Sequence, residues 1–175
     1  MGLLIMIIPA IFLVYITGGS LNWLVNRPLR YKWLVMCALL FQIVIFSRMP
    51  LLNYLSYLYI GIIHIMSYLI LLAFIILNFK VTGIAILGLG TLSNAIAIVA
   101  NGGFMPNPLV PPGIVFDNVI GISPESRLLF LSDILSAPEW LPLPRAFSIG
   151  DVFIVVGMFL YLLINSRKPK SDSAS

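Results

Sequence analysis

The chain has 175 residues and a formal net charge of +4; apolar residues make up 61% of it and charged residues 9%. Soluble globular domains carry about 25% charged residues, so this composition excludes an ordinary soluble domain and favours a chain that is solvated by lipid. We attribute the small positive charge to membrane topology. We therefore expect the lipid bilayer to be the main partner and no nucleic acid to be bound.

Five apolar segments follow one another along the chain and predict five transmembrane helices. A helix of about 20 apolar residues crosses the hydrocarbon core, and in lipid every backbone amide must find its partner within such a helix. The predicted spans cover residues 3–24, 33–46, 55–77, 81–100 and 149–164. We therefore predict an all-α integral membrane protein, in which residues 1–165 form one bundle of about five transmembrane helices. The first segment has no basic region before it, so we interpret it as a retained helix and not as a signal peptide.

Positive charges orient this bundle. Cytoplasmic loops of membrane proteins carry an excess of lysine and arginine. Seven of the ten basic residues fall on one side of the predicted spans, and three fall on the other: Arg48, Arg127 and Arg145. This asymmetry predicts an outside N-terminus, an outer position for the loop 101–148, and a basic, polar cytoplasmic tail at residues 166–175.

His64 lies inside the third predicted span, about nine residues from its outer end. An ionisable residue within the membrane is a candidate functional site. We predict that His64 either handles a proton or is a neutral ring bonded to a backbone carbonyl, to Ser67 or to Asn94. It is the only histidine and Cys37 is the only cysteine, which excludes a multi-histidine metal site and an internal disulfide. We expect no metal and no cofactor.

The fourth predicted span carries small and amide side chains along one stripe. The spacing of three, four or seven residues aligns five positions on one helix face: Gly83, Gly90, Asn94, Ala97 and Asn101. One interpretation is a close helix–helix seam in which Asn94 forms a hydrogen bond across the contact. The other is the wall of a polar site, in which Asn94, Asn101 and Ser148 orient a substrate.

Residues 101–148 form the one long segment between predicted spans, and they hold eight of the twelve prolines and four of the six acidic residues. A loop of this length is usually functional or disordered, and its content of leucine, isoleucine, phenylalanine and tryptophan favours a structured loop. Ser123, Pro124 and Glu125 supply the N-cap, the N1 proline and the early acid that begin a helix, and leucines follow at positions 128, 131 and 135. We predict a short interfacial helix on the outer membrane surface, which serves either as a plain cap on the bundle or as a functional lid.

Two aspartates frame the end of this loop. Asp151 opens the fifth predicted span behind Ser148, where the helix dipole favours a carboxylate, and Asp133 precedes it by 18 residues. Two carboxylates that meet in a dry site cannot both ionise, so one acts as a base toward water and the other as an acid. Asp133 and Asp151 are therefore candidate catalytic residues for peptide hydrolysis. The alternative is that Asp151 only caps its helix.

The second half of the chain resembles the bacterial lipoprotein signal peptidases, which are small multi-span aspartyl peptidases. The positions that match two of their motifs are Phe147, Asp151, Ile154 and Gly157 in one and Gly90, Asn94, Ile96 and Gly102 in the other. The resemblance implies that Asp133 and Asp151 form the catalytic pair and that the substrate is a lipoprotein precursor. The chain departs from the family's pattern at Ala97 and Ile98, which replace an aspartate–arginine pair.

Almost the whole chain also resembles a bacterial family of multi-span membrane proteins with no assigned function. This resemblance rests on the segment Asn-Gly-Gly-Phe-Met-Pro at 101–106 and on the Ile-Gly-Asp that begins at residue 149. It implies the bacterial cytoplasmic (inner) membrane and no particular activity. Three functions stay open. The leading hypothesis is a non-catalytic subunit or scaffold that binds other membrane protein subunits through the outer loop; the alternative is the aspartyl peptidase, and the third is a small transporter component.

Overall fold

The structure is a computed structural model that describes residues 6–46, 56–138, 140 and 145–167. The predicted first and third spans begin at residues 3 and 55, which lie outside the described residues, as does Arg48. The predicted cytoplasmic tail is described only as far as Arg167, so most of that prediction also falls outside the described part of the chain.

Helices carry most of the described chain. They are α1 (Ile7–Ile16), α2 (Leu21–Val25), α3 (Trp33–Phe46), α4 (Tyr57–Asn78), α5 (Ile84–Ala100) and α6 (Ile149–Asn165). The last four occupy the second to fifth predicted segments. These segments are the ones in which apolar residues run almost without interruption, and backbone groups surrounded by apolar side chains pair most completely within a helix.

The first predicted span is wrong as a continuous helix, because α1 ends at Ile16 and α2 begins only at Leu21. Gly18 between them has a φ of +74°, which glycine adopts without steric cost and which a right-handed helix does not contain. The chain then turns toward the end of α6, where the backbone N–H of Ser20 donates to the carbonyl of Ser166 at 2.8 Å. The break therefore anchors the N-terminal segment to the last helix.

Among the described helices, only α4 has both the length and the apolar composition to cross a membrane. It has 22 residues, whereas the shorter apolar helices have 10 to 17. At a rise of about 1.5 Å per residue, 17 residues span about 25 Å, which is slightly less than a hydrocarbon core of about 30 Å. A single helix of this kind is weak support for a membrane protein, so the five-span arrangement stays a prediction.

Helices α5 and α6 share the most extensive contact in the bundle. Glycines leave no side chain between them at this contact. A Cβ atom added at Gly90 would collide with the carbonyl oxygen of Gly150, and one added at Gly150 would collide with Oδ1 of Asn94. The stripe of small residues predicted on the fourth span is thus a close helix–helix seam at Gly90 and Asn94, and it holds Asn94 against the first residues of α6.

A buried apolar cluster joins the helices to the long loop that follows α5. Ala97, Ile98 and Met105 form its centre. Side chains from α4 and from the loop pack around it: Ile65, Tyr68, Val119 and Leu131. Because burial of apolar surface is the main favourable term in folding, this cluster fixes the loop on the ends of α4 and α5.

The loop consists mainly of strands and turns. β1 (Met105–Pro112), β2 (Val115–Phe116) and β3 (Val119–Gly121) form a sheet in the order β1-β3-β2, in which β1 is parallel and β2 antiparallel to β3. β4 (Leu135–Ser136) and β5 (Ala146–Phe147) form a separate antiparallel pair. The prediction of an all-α chain is therefore corrected, since the loop between α5 and α6 contributes two small sheets.

The predicted interfacial helix is also wrong. Its segment contains only a 3-10 turn at Leu129–Leu131, and Leu128 before the turn has a left-handed φ of 53°. The side chain of Asn101 explains the difference, because it bonds both the N–H and the carbonyl of Arg127, which a helix through this residue would use. The hydroxyl of Ser123 donates to a neighbouring carboxylate and caps no helix.

The Gly150→Ala variant tests the close contact of α5 and α6. We expect it to lower the free energy of unfolding by about 1–3 kcal/mol, because the added methyl group meets Asn94 and the carbonyl oxygen of Gly90. The matched control is Gly88→Ala, where the added methyl meets the Cγ2 methyl group of Ile75 and no backbone atom outside its own helix. Thermal unfolding in detergent compares the two variants, and equal losses would contradict the contact.

Candidate functional site

A hydrogen-bonded network joins Asn94 of α5 to Ser148 and Asp151 at the start of α6. Asp151 accepts two bonds, one to Oδ1 from Nδ2 of Asn94 at 2.9 Å and one to Oδ2 from the backbone N–H of Ser148 at 2.9 Å. The hydroxyl oxygen of Ser148 accepts from the N–H of Asp151 at 3.0 Å, and the hydroxyl donates to Oδ1 of Asn94 at 2.8 Å. The network is a helix capping box that is closed by an asparagine from the neighbouring helix.

This network fixes the orientation of Asp151. Ser148 is fully buried and Asn94 is 2% exposed, so water does not compete for their hydrogen bonds. The Asp151 carboxylate lies in the first turn of α6, where the helix dipole favours negative charge. Asp151 is therefore held as a hydrogen-bond acceptor at the end of the bundle that carries the loop.

The β4–β5 pair brings Asp133 to this network. Leu135 pairs with Phe147 in antiparallel register. Asp133 lies two residues before the first of these and Asp151 four residues after the second. Because the strands are antiparallel, the chain that enters β4 runs beside the chain that leaves β5. The strand pair thus brings the two aspartates predicted from the sequence to the same end of the bundle, within range of each other's charge.

The Asp133 carboxyl group holds its proton far more strongly than a solvated aspartate does. Burial is the largest cause and the negative charge of Asp151 is the second, and they raise the pKa of Asp133 from 3.8 to about 7. A hydrogen bond from Nδ2 of Asn107 to Oδ2 of Asp133, at 3.2 Å, opposes this shift. The backbone is held by β1, because the N–H of Asp133 donates to the carbonyl of Pro106 at 3.2 Å. Asp133 therefore keeps its proton to a much higher pH than a solvated aspartate does.

Tyr68 of α4 also belongs to the site, although the sequence-based reasoning did not single it out. Its buried hydroxyl group lies near the side chain of Asn94 and within range of the charges of both Asp133 and Asp151. One signal for this role was available in the sequence. Tyr68 follows His64 by four residues, so the two side chains share a face of α4.

His64 is buried behind Tyr68. Its Nδ1 atom lies 2.7 Å from the carbonyl oxygen of Gly103, and its ring meets the ring of Tyr68 edge-on at a centroid distance of 5.4 Å. Because a carbonyl oxygen only accepts, Nδ1 carries the proton of this bond. The arrangement corresponds to the predicted alternative of a histidine bonded to a backbone carbonyl. The nearby Ser67 hydroxyl donates to the backbone carbonyl of His64 and not to its ring.

Asn101 does not line the carboxylate site. Its Nδ2 atom donates to the carbonyls of Ala97 at 2.8 Å and Arg127 at 2.9 Å, and its Oδ1 atom accepts from the N–H of Arg127 at 2.8 Å. Both hydrogens of the amide and its oxygen are thus engaged with backbone groups. The prediction that Asn101 orients a substrate is therefore corrected, since its side chain holds the loop instead.

The chemistry of the site follows from its two carboxyl groups. Within the described ranges, no group of three or more histidine, cysteine, aspartate or glutamate side chains is placed to hold a metal ion. The site instead combines Asp133, which carries a proton up to about pH 7, with Asp151, which accepts hydrogen bonds from two donors. Such a pair supplies an acid and a base together, as the activation of a water molecule requires.

Comparisons with known proteins place the chain in one family. No curated protein and no solved structure matches it. The family DUF5317, described as a family of unknown function, matches residues 26–163, which include α3 to α5, the long loop, all but the last two residues of α6 and all of the site residues described above. The chain therefore belongs to the DUF5317 family.

Proposed function

We propose that this protein is an aspartyl peptidase in which Asp133 and Asp151 form the catalytic pair. The observation that carries the proposal is that the β4–β5 pair brings the Asp133 carboxyl group to the fixed Asp151 carboxylate, where burial and the Asp151 charge raise the pKa of Asp133 to about 7. A carboxylic acid that stays protonated beside a carboxylate is the arrangement that lets two aspartates divide the roles of acid and base.

The geometry assigns these roles. Asp151 acts as the base, because the side chain of Asn94 and the backbone N–H of Ser148 donate hydrogen bonds to its two carboxylate oxygens and hold them in place. It takes a proton from a water molecule, whose oxygen forms a bond to the peptide carbonyl carbon, while Asp133 gives its proton to the carbonyl oxygen. The C–N bond then breaks: the leaving nitrogen takes the proton from Asp151, and a hydroxyl of the intermediate returns a proton to Asp133.

The membrane setting is part of the proposal. We infer that α3 to α6 and the N-terminal segment cross the bacterial inner membrane, with the N-terminus outside and the C-terminus in the cytoplasm. The length of α4 and the apolar composition of the other helices support this arrangement. In this orientation the catalytic pair lies at the outer ends of α5 and α6, and a lipoprotein precursor is the substrate that the resemblance to signal peptidases implies.

A scaffold or subunit is the second candidate function, and one observation favours it. Phe130, Ile134 and Trp140 of the loop are 66%, 47% and 79% exposed, and exposed apolar side chains of this size are typical of surfaces that bind a partner. Under this proposal the loop binds another membrane protein subunit and the two carboxylates serve only to fix it. The third hypothesis, a small transporter component, has no specific observation in its favour among the described residues.

The Asp133→Asn and Asp151→Asn variants test the catalytic proposal. We expect each of them alone to reduce processing of a lipoprotein precursor by at least about a hundredfold, because an amide neither donates nor accepts the proton that the reaction moves. Processing is measured with the purified protein in detergent or vesicles. Asp117→Asn is the matched control, since Asp117 lies in the same loop in a left-handed conformation that asparagine also adopts.

Full processing by both site variants would contradict the peptidase. Purification in mild detergent then tests the scaffold. A stoichiometric partner that is lost when Phe130 and Trp140 are replaced by serine would support the scaffold, and a protein that acts alone would contradict it.

The proton on Asp133 also makes stability depend on pH. The pKa of Asp133 is about 7 in the folded protein and 3.8 when the group is solvated, so between these values the folded state binds more protons than the unfolded state. The free energy of unfolding therefore falls as the pH rises from about 4 to about 7. Asp133→Asn removes this loss. After allowance for the partial exposure of the group, we expect the free energy of unfolding of the variant to exceed that of the wild type by on the order of 1 kcal/mol at about pH 8. Near pH 4 we expect no difference.

Thermal unfolding of the wild type and Asp133→Asn at these two pH values measures the effect. Asn107 still has an oxygen to bond in the variant, so the comparison isolates the charge. A difference between the two proteins that is the same at both pH values would contradict the assignment of the proton to Asp133.

A further inference from the structure

Three asparagines at the C-terminal ends of α4, α5 and α6 share one hydrogen-bonding pattern. Nδ2 of Asn78, Asn101 and Asn165 donates to the carbonyl four residues earlier in the same helix and to a backbone carbonyl of a distant segment. In Asn78 and Asn101, Oδ1 also accepts a hydrogen bond from the backbone N–H of the same distant residue whose carbonyl oxygen Nδ2 binds. Asn78 thereby clasps Arg30 at 2.8 and 2.9 Å, and Asn101 clasps Arg127 at 2.8 and 2.9 Å.

The clasp of Asn101 acts on the segment that carries a candidate catalytic group. Arg127 lies six residues before Asp133. Between them, Leu131 packs against the cluster of Ala97 and Ile98 on α5. Beyond them, the β4–β5 pair begins at residue 135. The segment is thus held at its downstream end by strand pairing and by the bond from the N–H of Asp133 to Pro106, and at its upstream end by Asn101.

Helix α5 therefore controls both carboxylates. Asn94 bonds directly to Asp151, and Asn101 is seven residues further along, which is two helical turns and the same face. One rigid face thus carries the residue that orients Asp151 and the residue that fixes the chain leading to Asp133. The two contacts together set the relative position of the pair.

We propose that Asn101 is a positioning residue of the carboxylate pair, which places Asp133 against Asp151 by clasping the backbone of Arg127. The inference rests on the proposed function for its catalytic meaning, but the placement itself is measurable without activity. When the clasp is removed, the Arg127 backbone loses both partners and the segment shifts. Asp133 then loses burial and proximity to Asp151, the two causes that hold its proton.

The titration of Asp133 depends on the groups that face it. Asp151 faces it from α6 and Tyr68 from α4, and Asn107 of β1 donates a hydrogen bond to it. None of these groups is altered by a substitution at Asn101. A change in the titration of Asp133 in such a variant therefore reports a change in its position.

The experiment compares Asn101→Ala with Asn78→Ala in the full-length protein. Asn78→Ala is the matched control, because it removes a clasp of the same geometry. The loop lies at the end of α4 that begins with Tyr57, and Asn78 lies at the other end. In each background, the pH dependence of thermal unfolding is measured with and without Asp133→Asn, and the difference isolates the contribution of Asp133. The upper midpoint of this contribution reports the pKa of Asp133 in the folded protein. We expect this midpoint to stay near pH 7 in Asn78→Ala and to move to a lower pH by about one unit or more in Asn101→Ala.

Processing of a lipoprotein precursor is the second measurement. We expect Asn101→Ala to lose about tenfold to a hundredfold in rate, because a displacement of about 1 Å has an effect of this size, and Asn78→Ala to stay close to the wild type. If Asn101→Ala is too unstable to purify, Asn101→Ser replaces it, since the shorter hydroxyl side chain does not reach both backbone groups of Arg127.

The proposal is overturned if the midpoint stays near pH 7 without the clasp, or if Asn78→Ala moves it equally. A wild type that shows the midpoint but no processing would leave the positioning role intact and contradict the peptidase. The failure of one proposal is thus distinguished from the failure of the other.

Discussion

The contact between α5 and α6 is the constraint on which the candidate site depends. At Gly90 and Gly150 the two helix backbones approach so closely that Asn94 reaches the N-cap of α6. Asn94 and Ser148 are buried within the network formed there, and buried polar networks are stable only when every member is satisfied. The orientation of Asp151 is therefore a consequence of helix packing. Asp133 reaches the same place by strand pairing in the loop, so the two carboxylates are delivered by separate parts of the fold.

Much of the helical structure was predictable from local sequence. Uninterrupted apolar runs predicted α3 to α6, and the spacing of Gly90 and Asn94 predicted the seam between α5 and α6. Ser148 and Asp151 form a pattern that begins a helix, and the structure has a capping box there. These features depend on residues a few positions apart, and such relations can be recognised in one sequence. The meeting of Asp133 and Asp151 was proposed from their common position at the end of the long loop and from a resemblance, but the pairing of Leu135 with Phe147 that brings it about leaves no comparable local signal.

Two of the errors, the interfacial helix and the omission of Tyr68, have a common physical cause. The signals at Ser123 to Glu125 favour a helix, but Asn101, 26 residues before Arg127, takes the backbone groups that the helix would use. Non-local contacts of this kind override local propensity and cannot be inferred from spacing. Tyr68 was missed for a related reason. A tyrosine within an apolar run has the appearance of an ordinary packed aromatic, and only the fold brings its hydroxyl group to Asn94.

The proline content of β1 has a consequence for how this protein meets other chains. β1 forms one edge of the three-stranded sheet, and four of its eight residues are proline. Proline lacks the N–H group with which a neighbouring strand would pair. A foreign strand therefore cannot extend this sheet along β1, and the edge resists the edge-to-edge aggregation to which exposed strands are prone. Any chain that docks on this side of the loop must be recognised through side chains and not through added β-structure.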